Sequence, residues 1–316
     1  MKPLPSLRQL RYLVAVIEHR HFGRAAETCF VTQSTLSAGL QEMEHLLGAR
    51  LVERTKRSVS PTPLGQELAQ RAQQVLRQVE DMADLATAAR EPMTGPLRLG
   101  VIPTIGPFLL PRVLPDLRET FPHLALYLRE DQTARLIDQL HAGTLDVAVL
   151  ALPYEARGID TLWVAEDRFW AALPPTHRLA TDPKVNAADL SLDDLLLLED
   201  GHCLRDHALA ACALEGARKN EGFQGTSLYT LVQMVAGGLG ITLLPQIALD
   251  ADILRGTDVV ARPLVGDRPS RWIGLAWRRA AGRRTTFEKL GAFLKERLVA
   301  PPSMRPERLV EIVQER

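Results

Sequence analysis

Cys203 and Cys212 lie nine positions apart in the stretch Gly201-His-Cys-Leu-Arg-Asp-His-Ala-Leu-Ala-Ala-Cys212, and the 316-residue chain holds only three cysteines. His202, Arg205 and His207 flank the first of them, and a cationic neighbourhood favours the thiolate, the form of a thiol that reacts. If the intervening segment is mostly helical, a rise of about 1.5 Å per residue keeps the two Cα atoms about 13 Å apart. A disulfide needs them within roughly 7 Å. Such a pair could close only through local refolding, which is the behaviour of a switch. His202, Cys203, His207 and Cys212 are also residue types that bind zinc, but no Cys-x2-Cys spacing supports a metal site. Neither a metal nor a cofactor is expected.

Three cysteines do not make the disulfide framework of a small secreted protein, so a reducing, cytoplasmic location is expected. No signal-peptide pattern opens the chain and no run of 18 apolar residues occurs, so neither export nor membrane association is expected. An apolar fraction of 46% is enough for real cores and excludes a largely disordered chain. The length suggests two or three domains. Net charge is zero, yet residues 1–65 carry nine basic against five acidic side chains, leaving +4 there and −4 on the remainder. A basic module on an acidic body is a footprint of nucleic-acid binding.

The elements that would position these residues follow from periodicity and punctuation. Leu7, Leu10, Leu13, Val14 and Ile17 recur at helical spacing. A short Ala-rich helix from Arg24 to about Phe30 follows, with Cys29 expected in its apolar face as a buried small hydrophobe. Gln33–Leu47 reads as a third helix with Leu36, Leu40, Met43 and Leu47 on one face and Gly48 as its C-cap. Helix, short turn and helix in this order form a helix-turn-helix. Leu51–Arg54 and Ser58–Ser60 flank Thr55-Lys56-Arg57, a small β wing with a cationic tip. In the long helix from Leu64 to Arg90, Leu68, Ala72, Val75, Val79, Met82 and Ala86 form a seam suited to pairing with a second copy. Glu91–Pro96 is a hinge rich in proline and glycine. Beyond it, strands at Leu97–Val101, Leu124–Arg129 and Leu145–Leu150 alternate with helices, which predicts a mostly parallel sheet with ligands at its carboxyl edge. Thr104, Thr133 and the pair Thr226-Ser227 each fall between a strand and a helix, where they bring hydroxyls to that edge or simply cap helices.

Gly23-Arg-Ala-Ala-Glu27 through Thr32-Gln-Ser-Thr-Leu-Ser37, followed by Leu51-Val-Glu-Arg54, resembles the winged helix-turn-helix of LysR-type transcriptional regulators. Val101-Ile-Pro-Thr-Ile-Gly-Pro107, Asp131-Gln-Thr133, Gly201-His-Cys203 with Cys212, and Gly240-Ile-Thr-Leu-Leu-Pro245 resemble the peroxide-sensing members of that family. The resemblance runs from about residue 5 to 300. It implies an α+β multidomain fold: an N-terminal winged helix-turn-helix with a linker helix, and a C-terminal periplasmic-binding-protein-like α/β regulatory domain of two lobes. The expected boundaries are 1–63 for the DNA-binding domain, 64–90 for the dimerisation helix, 91–96 for the hinge, 97–300 for the regulatory domain and 301–316 for a charged tail. It departs in Ala208-Leu-Ala-Ala211, which is small and lacks an aromatic residue.

The resemblance also implies the chemistry. Cys203 would be oxidised by hydrogen peroxide and would then form a reversible disulfide with Cys212. Thr104, Thr133 and His202 would hold the peroxide, with Asp206 beside the pocket and Arg271 near the reactive sulfur. Thr226 and Ser227 would face an effector cleft. On promoter DNA, Gln33, Ser34, Thr35, Ser37 and Gln41 would meet the major groove, where Gln can read adenine in bidentate fashion. Arg57 would meet the minor groove or phosphate. The implied partners are double-stranded DNA, a second copy in a dimer or tetramer, RNA polymerase and cellular disulfide reductants. Two readings of another kind stand beside this one. One is a regulator answering a small organic acid, with incidental cysteines, and the other is a thiol peroxidase. A phosphate-loop enzyme is excluded because Gly237-Gly-Leu-Gly240 lacks the Gly-Lys-Ser/Thr of such loops.

Overall fold

The computed structural model describes residues 4–54, 59–192, 194–201, 203–212, 225–265 and 269–298. They form two compact units that divide between Thr87 and Ala88. The wing tip at Thr55-Lys56-Arg57, His202 and the tail at 301–316 lie outside the described residues.

In the N-terminal unit, local signals set the helix ends. Ser6 and Gln9 cap each other reciprocally at the start of α1 (Leu7–His19). Helix α2 spans Phe22–Thr28, earlier than its Ala-rich sequence suggests, because His21 accepts a hydrogen bond from the Arg24 amide and caps it. Cys29 is therefore the C-cap of α2 and packs against the core of the unit without being fully buried. It is half-buried, and its Sγ donates to the Arg11 carbonyl at 3.9 Å. Phe30, at φ 54°, closes the turn with its ring in solvent. Helix α3 (Gln33–Leu47) begins at Thr32, whose Oγ1 accepts from the Thr35 amide, and ends at Gly48 in the left-handed region. Leu36, Leu40 and Met43 are buried against α1, whereas Leu47, expected on the same face, is exposed at the last turn.

Strands β1 (Val52–Arg54) and β2 (Val59–Pro61) pair antiparallel as the base of the wing. Thr62 then holds the entry to α4 (Pro63–Arg90): its Oγ1 accepts from the Gly65 amide at 2.9 Å and donates to the Leu51 carbonyl. The predicted seam of α4 divides in two. Leu68 packs on the core of its own unit and Ala72 is buried, while Val75, Val79 and Met82 are exposed, Met82 being 72% exposed.

The C-terminal unit contains β3 (Gly95–Val101), α5 (Gly106–Thr120), β4 (Leu124–Glu130), α6 (Thr133–Ala142), β5 (Val147–Leu152) and the long strand β6 (Ile159–Leu173). Then come β7 (Val185–Asn186), α7 (Cys203–Ala211), α8 (Leu228–Ala236), β8 (Thr242–Pro245), α9 (Gln246–Leu249), β9 (Val260–Val265), β10 (Ser270–Arg278) and α10 (Arg284–Leu298). The strand order is β4-β3-β5-β10-β6-β9-β7, with β8 also paired to β6. Among the described residues, β4-β3-β5 and the short β7–β9 contact pair in parallel, as do the isolated bridges Leu195–Ile241 and Leu198–Gly225. The sheet is thus mixed rather than mostly parallel, because β10 returns antiparallel between β5 and β6. Two lobes share β6. Its residues 159–168 pair with β10, and its residues 169–173 pair with β8 and β9. Of the expected hinge, Gly95 and Pro96 already pair with Leu124 and Ala125. Buried Arg283 donates to the carbonyls of Thr94 and Pro96.

A Cβ on Gly65 would sit 1.9 Å from the Leu51 carbonyl oxygen, a backbone atom fixed by the wing. Gly65→Ala is expected to destabilise the N-terminal unit by about 1–3 kcal/mol, the usual cost of overpacking. Hydrogen exchange of the Leu36–Met43 amides in the full chain would read this, and unchanged protection would contradict it.

Candidate functional site

The sheet edge of the C-terminal unit gathers three chain segments around one recess. Ile102-Pro-Thr104 leave β3, Gln132-Thr133 lead from β4 into α6, and Gly201 with Cys203 begins α7. The three segments close so tightly that the recess leaves no room for a water-sized sphere (volume ≈ 0 Å³), far below the several hundred Å³ of pockets for larger metabolites. Cys203 is half-buried at the first position of α7, where the positive end of the helix dipole favours an anion. Thr104 and Thr133 are both buried, and the Thr133 Oγ1 has no hydrogen-bond partner. Burying an unpaired hydroxyl is costly, so one carried by a residue that lines the recess is poised for a guest.

Thr104 has its partner already. Arg271 of β10, 1% exposed, donates from Nη1 to the Thr104 Oγ1 at 2.9 Å and from Nη2 to the Thr104 carbonyl at 3.0 Å. Its Nε bonds Asp167 Oδ2 of β6 at 2.9 Å, and Asp167 Oδ1 accepts from the Ile247 amide at 2.9 Å. Arg271 thus reaches the recess through Thr104 rather than lining it. Burial pushes the Asp167 carboxyl pKa up, against the pull of Arg271. Sequence reasoning passed over Asp167. The signal that could have found it is a carboxylate in phase with the buried Phe169, Ala171 and Leu173 along one strand.

The cations next to Cys203 in sequence are less available than expected. Arg205 pairs with Asp200. His207 is partly buried; its Nε2 bonds the Pro153 carbonyl at 3.1 Å, and its Nδ1 is buried without a partner. Burial lowers the His207 pKa below its ordinary value of 6.5, the Pro153 hydrogen bond opposes this, and Arg271 adds to it. Asp206 is exposed on α7 and does not line the recess. Cys212 is buried in the core, and burial pushes its thiol pKa up to about 12. The structure groups no three His, Cys, Asp or Glu side chains into a metal site among the described residues.

Thr226 and Ser227 line a second, larger cleft of ≈ 470 Å³ that shares Pro103 and Gln132 with the recess. Ser227 is the N-cap of α8, accepting from the Thr230 amide at 3.2 Å. In the N-terminal unit, Gln33, Ser34, Thr35 and Gln41 are exposed on α3 and Ser37 is half-buried. Thr32 Oγ1 lies 3.0 Å from Ser34 Oγ and 2.8 Å from Thr35 Oγ1, which fixes these hydroxyls at the helix start. That is the end of a recognition helix that meets base edges.

Residues 7–66 match the bacterial regulatory helix-turn-helix protein of the lysR family, and residues 90–299 match the LysR substrate binding domain. The chain belongs to the LysR family of transcriptional regulators, whose helix-turn-helix binds DNA. It is 43% identical over 293 residues to the DNA-binding transcriptional dual regulator OxyR of Escherichia coli K12, covering 93% of this chain and 96% of that one. It is 42% identical over 296 residues to the HTH-type transcriptional regulator EstR of Acinetobacter baylyi, covering 93% and 98%. Among solved structures, it matches a full-length cysteine-to-aspartate variant of OxyR from Pseudomonas aeruginosa at TM-score 0.78 and 34% identity, covering 96% of this chain and all of that one. A hydrogen-peroxide-bound cysteine-to-serine variant of OxyR from Corynebacterium glutamicum matches at TM-score 0.64 and 32% identity, covering 99% and 96%. No helix among the described residues is long and apolar enough to cross a membrane.

Two outcomes follow from the environments of the helix α7 side chains. With a pKa of about 12, about one Cys212 thiol in ten thousand is ionised at pH 8. Iodoacetamide should therefore modify Cys203 well before Cys212 in the reduced full chain, and denaturant should abolish the difference. Equal rates in the folded chain would contradict the burial argument. For His207, the folded pKa lies below the unfolded one, so the unfolded chain binds the proton more readily. The packing of α7 is then at full strength above about pH 6.5 and weakens as pH falls below it. Amide protection factors in α7 should drop between about pH 7 and 5, and His207→Gln should remove the drop.

Proposed function

We propose that the chain is a peroxide-responsive transcription factor in which Cys203 is the peroxidatic residue and Cys212 the resolving one. The observation that carries this reading is the shared recess of Cys203, Thr104 and the unpaired Thr133 hydroxyl. The Cys203 thiolate attacks one peroxide oxygen, the O–O bond breaks, and the sulfur becomes a sulfenic acid. The second oxygen leaves as hydroxide, and hydroxyl donors at Thr104 and Thr133 stabilise the developing charge. The sulfenic acid then condenses with the Cys212 thiol, which gives a disulfide and releases water. His202 joins the peroxide contacts on the strength of its place beside Cys203 in sequence, and Asp206 acts only through its neighbours.

Closing the bond dismantles α7 and biases a bistable regulatory unit. The exposed Val75, Val79 and Met82 of α4 suit pairing with a second copy, and two dimers would make a tetramer. Oxidation would re-space the α3 helices on promoter half-sites and change contact with RNA polymerase, controlling antioxidant genes. Arg57 would add phosphate or minor-groove affinity. The protein works in the cytoplasm, is reset by cellular disulfide reductants and reacts once per stimulus rather than turning over as an enzyme. The larger cleft carries Glu130, Asp131 and Glu199 against Arg135, which already pairs with Asp131 at 3.5 Å, a poor match for an anionic organic effector.

Treating the reduced full chain with a small excess of peroxide should give a Cys203–Cys212 disulfide by mass spectrometry and an altered DNA footprint. Absence of that bond, or a bond with an unchanged footprint, would overturn the switch. A Cys203→Ser variant that keeps its transcriptional response would return the organic-effector reading.

A further inference from the structure

The Thr104 hydroxyl is held by a relay that begins at a residue no motif singles out. Asp167 accepts the Ile247 amide on one carboxylate oxygen and the Arg271 Nε on the other. Among the described residues, the remaining two arms of the guanidinium close on Thr104, one on its hydroxyl oxygen and one on its carbonyl. A guanidinium is a rigid planar fork, so fixing its Nε edge fixes the direction of both arms. A hydroxyl carries one hydrogen to donate. With Arg271 donating to the Thr104 oxygen, the hydroxyl's own hydrogen is left to point into the recess. Thr104 is thereby set as a donor there.

We infer that Asp167 is a positioning residue for peroxide reduction at Cys203, acting through Arg271 to fix the Thr104 hydroxyl as a hydrogen-bond donor to the leaving oxygen. The inference rests on the reading of the recess as a peroxide site. In the step it serves, the Cys203 sulfur is oxidised to the sulfenic acid, the O–O bond breaks, and the distal oxygen departs as hydroxide. That hydroxide gains negative charge as the bond lengthens, and a donor already aimed at it needs no reorganisation at that moment. Without the carboxylate, the buried guanidinium loses its charge partner and the constraint on its Nε edge, and the two bonds to Thr104 are no longer directed. The hydrogen bonds of this relay run from the Ile247 amide through Asp167 and Arg271 to Thr104, while the charge of Arg271 also acts on His207 of α7, an effect that would change the thiolate and so both rates below.

Two rates on the reduced full chain separate positioning from general disruption: sulfenic acid formation at Cys203 with hydrogen peroxide, and alkylation of Cys203 by iodoacetamide. Alkylation also uses the thiolate but has no departing hydroxide. Asp167→Asn, which keeps the shape and removes the charge, is expected to slow the peroxide rate roughly tenfold or more while alkylation stays within about twofold. Arg271→Lys, which keeps a cation near Asp167 but lacks the fork, is expected to show the same selective loss and carries the test if Asp167→Asn does not fold. Equal loss in both rates, or no loss in either, would overturn the inference while leaving the peroxide reading intact. A native chain whose Cys203 reacts with peroxide no faster than a free thiol would instead overturn the reading on which it rests.

Discussion

From Cys203 to Ala211 the backbone is helical, and a helix fixes the distance between its residues more firmly than any side-chain contact does. At about 1.5 Å per residue the Cα atoms of Cys203 and Cys212 stand about 13 Å apart along the helix axis, with Cys203 at the recess and Cys212 in the core. A disulfide needs them within roughly 7 Å. The composition of the helix bears on how firmly it is kept. Alanine is the best helix former, so Ala208, Ala210 and Ala211 favour the helix locally. Leu204, Ala208 and Leu209 are buried in the core, so packing holds the helix as well as propensity does. His207 adds one tie to Pro153 and one unpaired buried nitrogen, which work in opposite directions.

The recess on the other side of Cys203 is built from parts that have no local reason to meet. Thr104 and Thr133 come from loops after two neighbouring parallel strands, and Arg271 arrives from the antiparallel strand that enters the sheet last. A buried ion pair such as Arg271 with Asp167 adds little net stability as a unit, yet loss of one partner costs about 3–5 kcal/mol. Such a pair serves to make one arrangement far better than its near alternatives.

How much of this was legible in the sequence depended on the range of the forces involved. The ends of α3 were readable because Thr32 and Gly48 act within one turn. Thr104 and Thr133 were readable because each stands between a strand and a helix, and the structure brings both to one recess. Thr226 and Ser227 follow the same local pattern, yet they line the neighbouring cleft, where Ser227 serves as a helix cap. The cationic setting expected from His207 and Arg205 was an inference from neighbours in sequence. Burial of His207 and pairing of Arg205 with Asp200 removed most of it. Asp167 and Arg271 are 104 positions apart, and the parallel sheet predicted from strand–helix alternation gave no way to pair their strands.

Strand β6 serves both lobes of the regulatory unit, and that limits what motion between them can be. A slide of one residue along the shared strand would break its register with β10 and with β8 and β9 together. What remains is bending where β6 passes from one sheet to the other, between Arg168 and Phe169. Asp167 stands one residue before that point. Any bending of one lobe against the other at that crossing would therefore turn about a point beside a buried carboxylate.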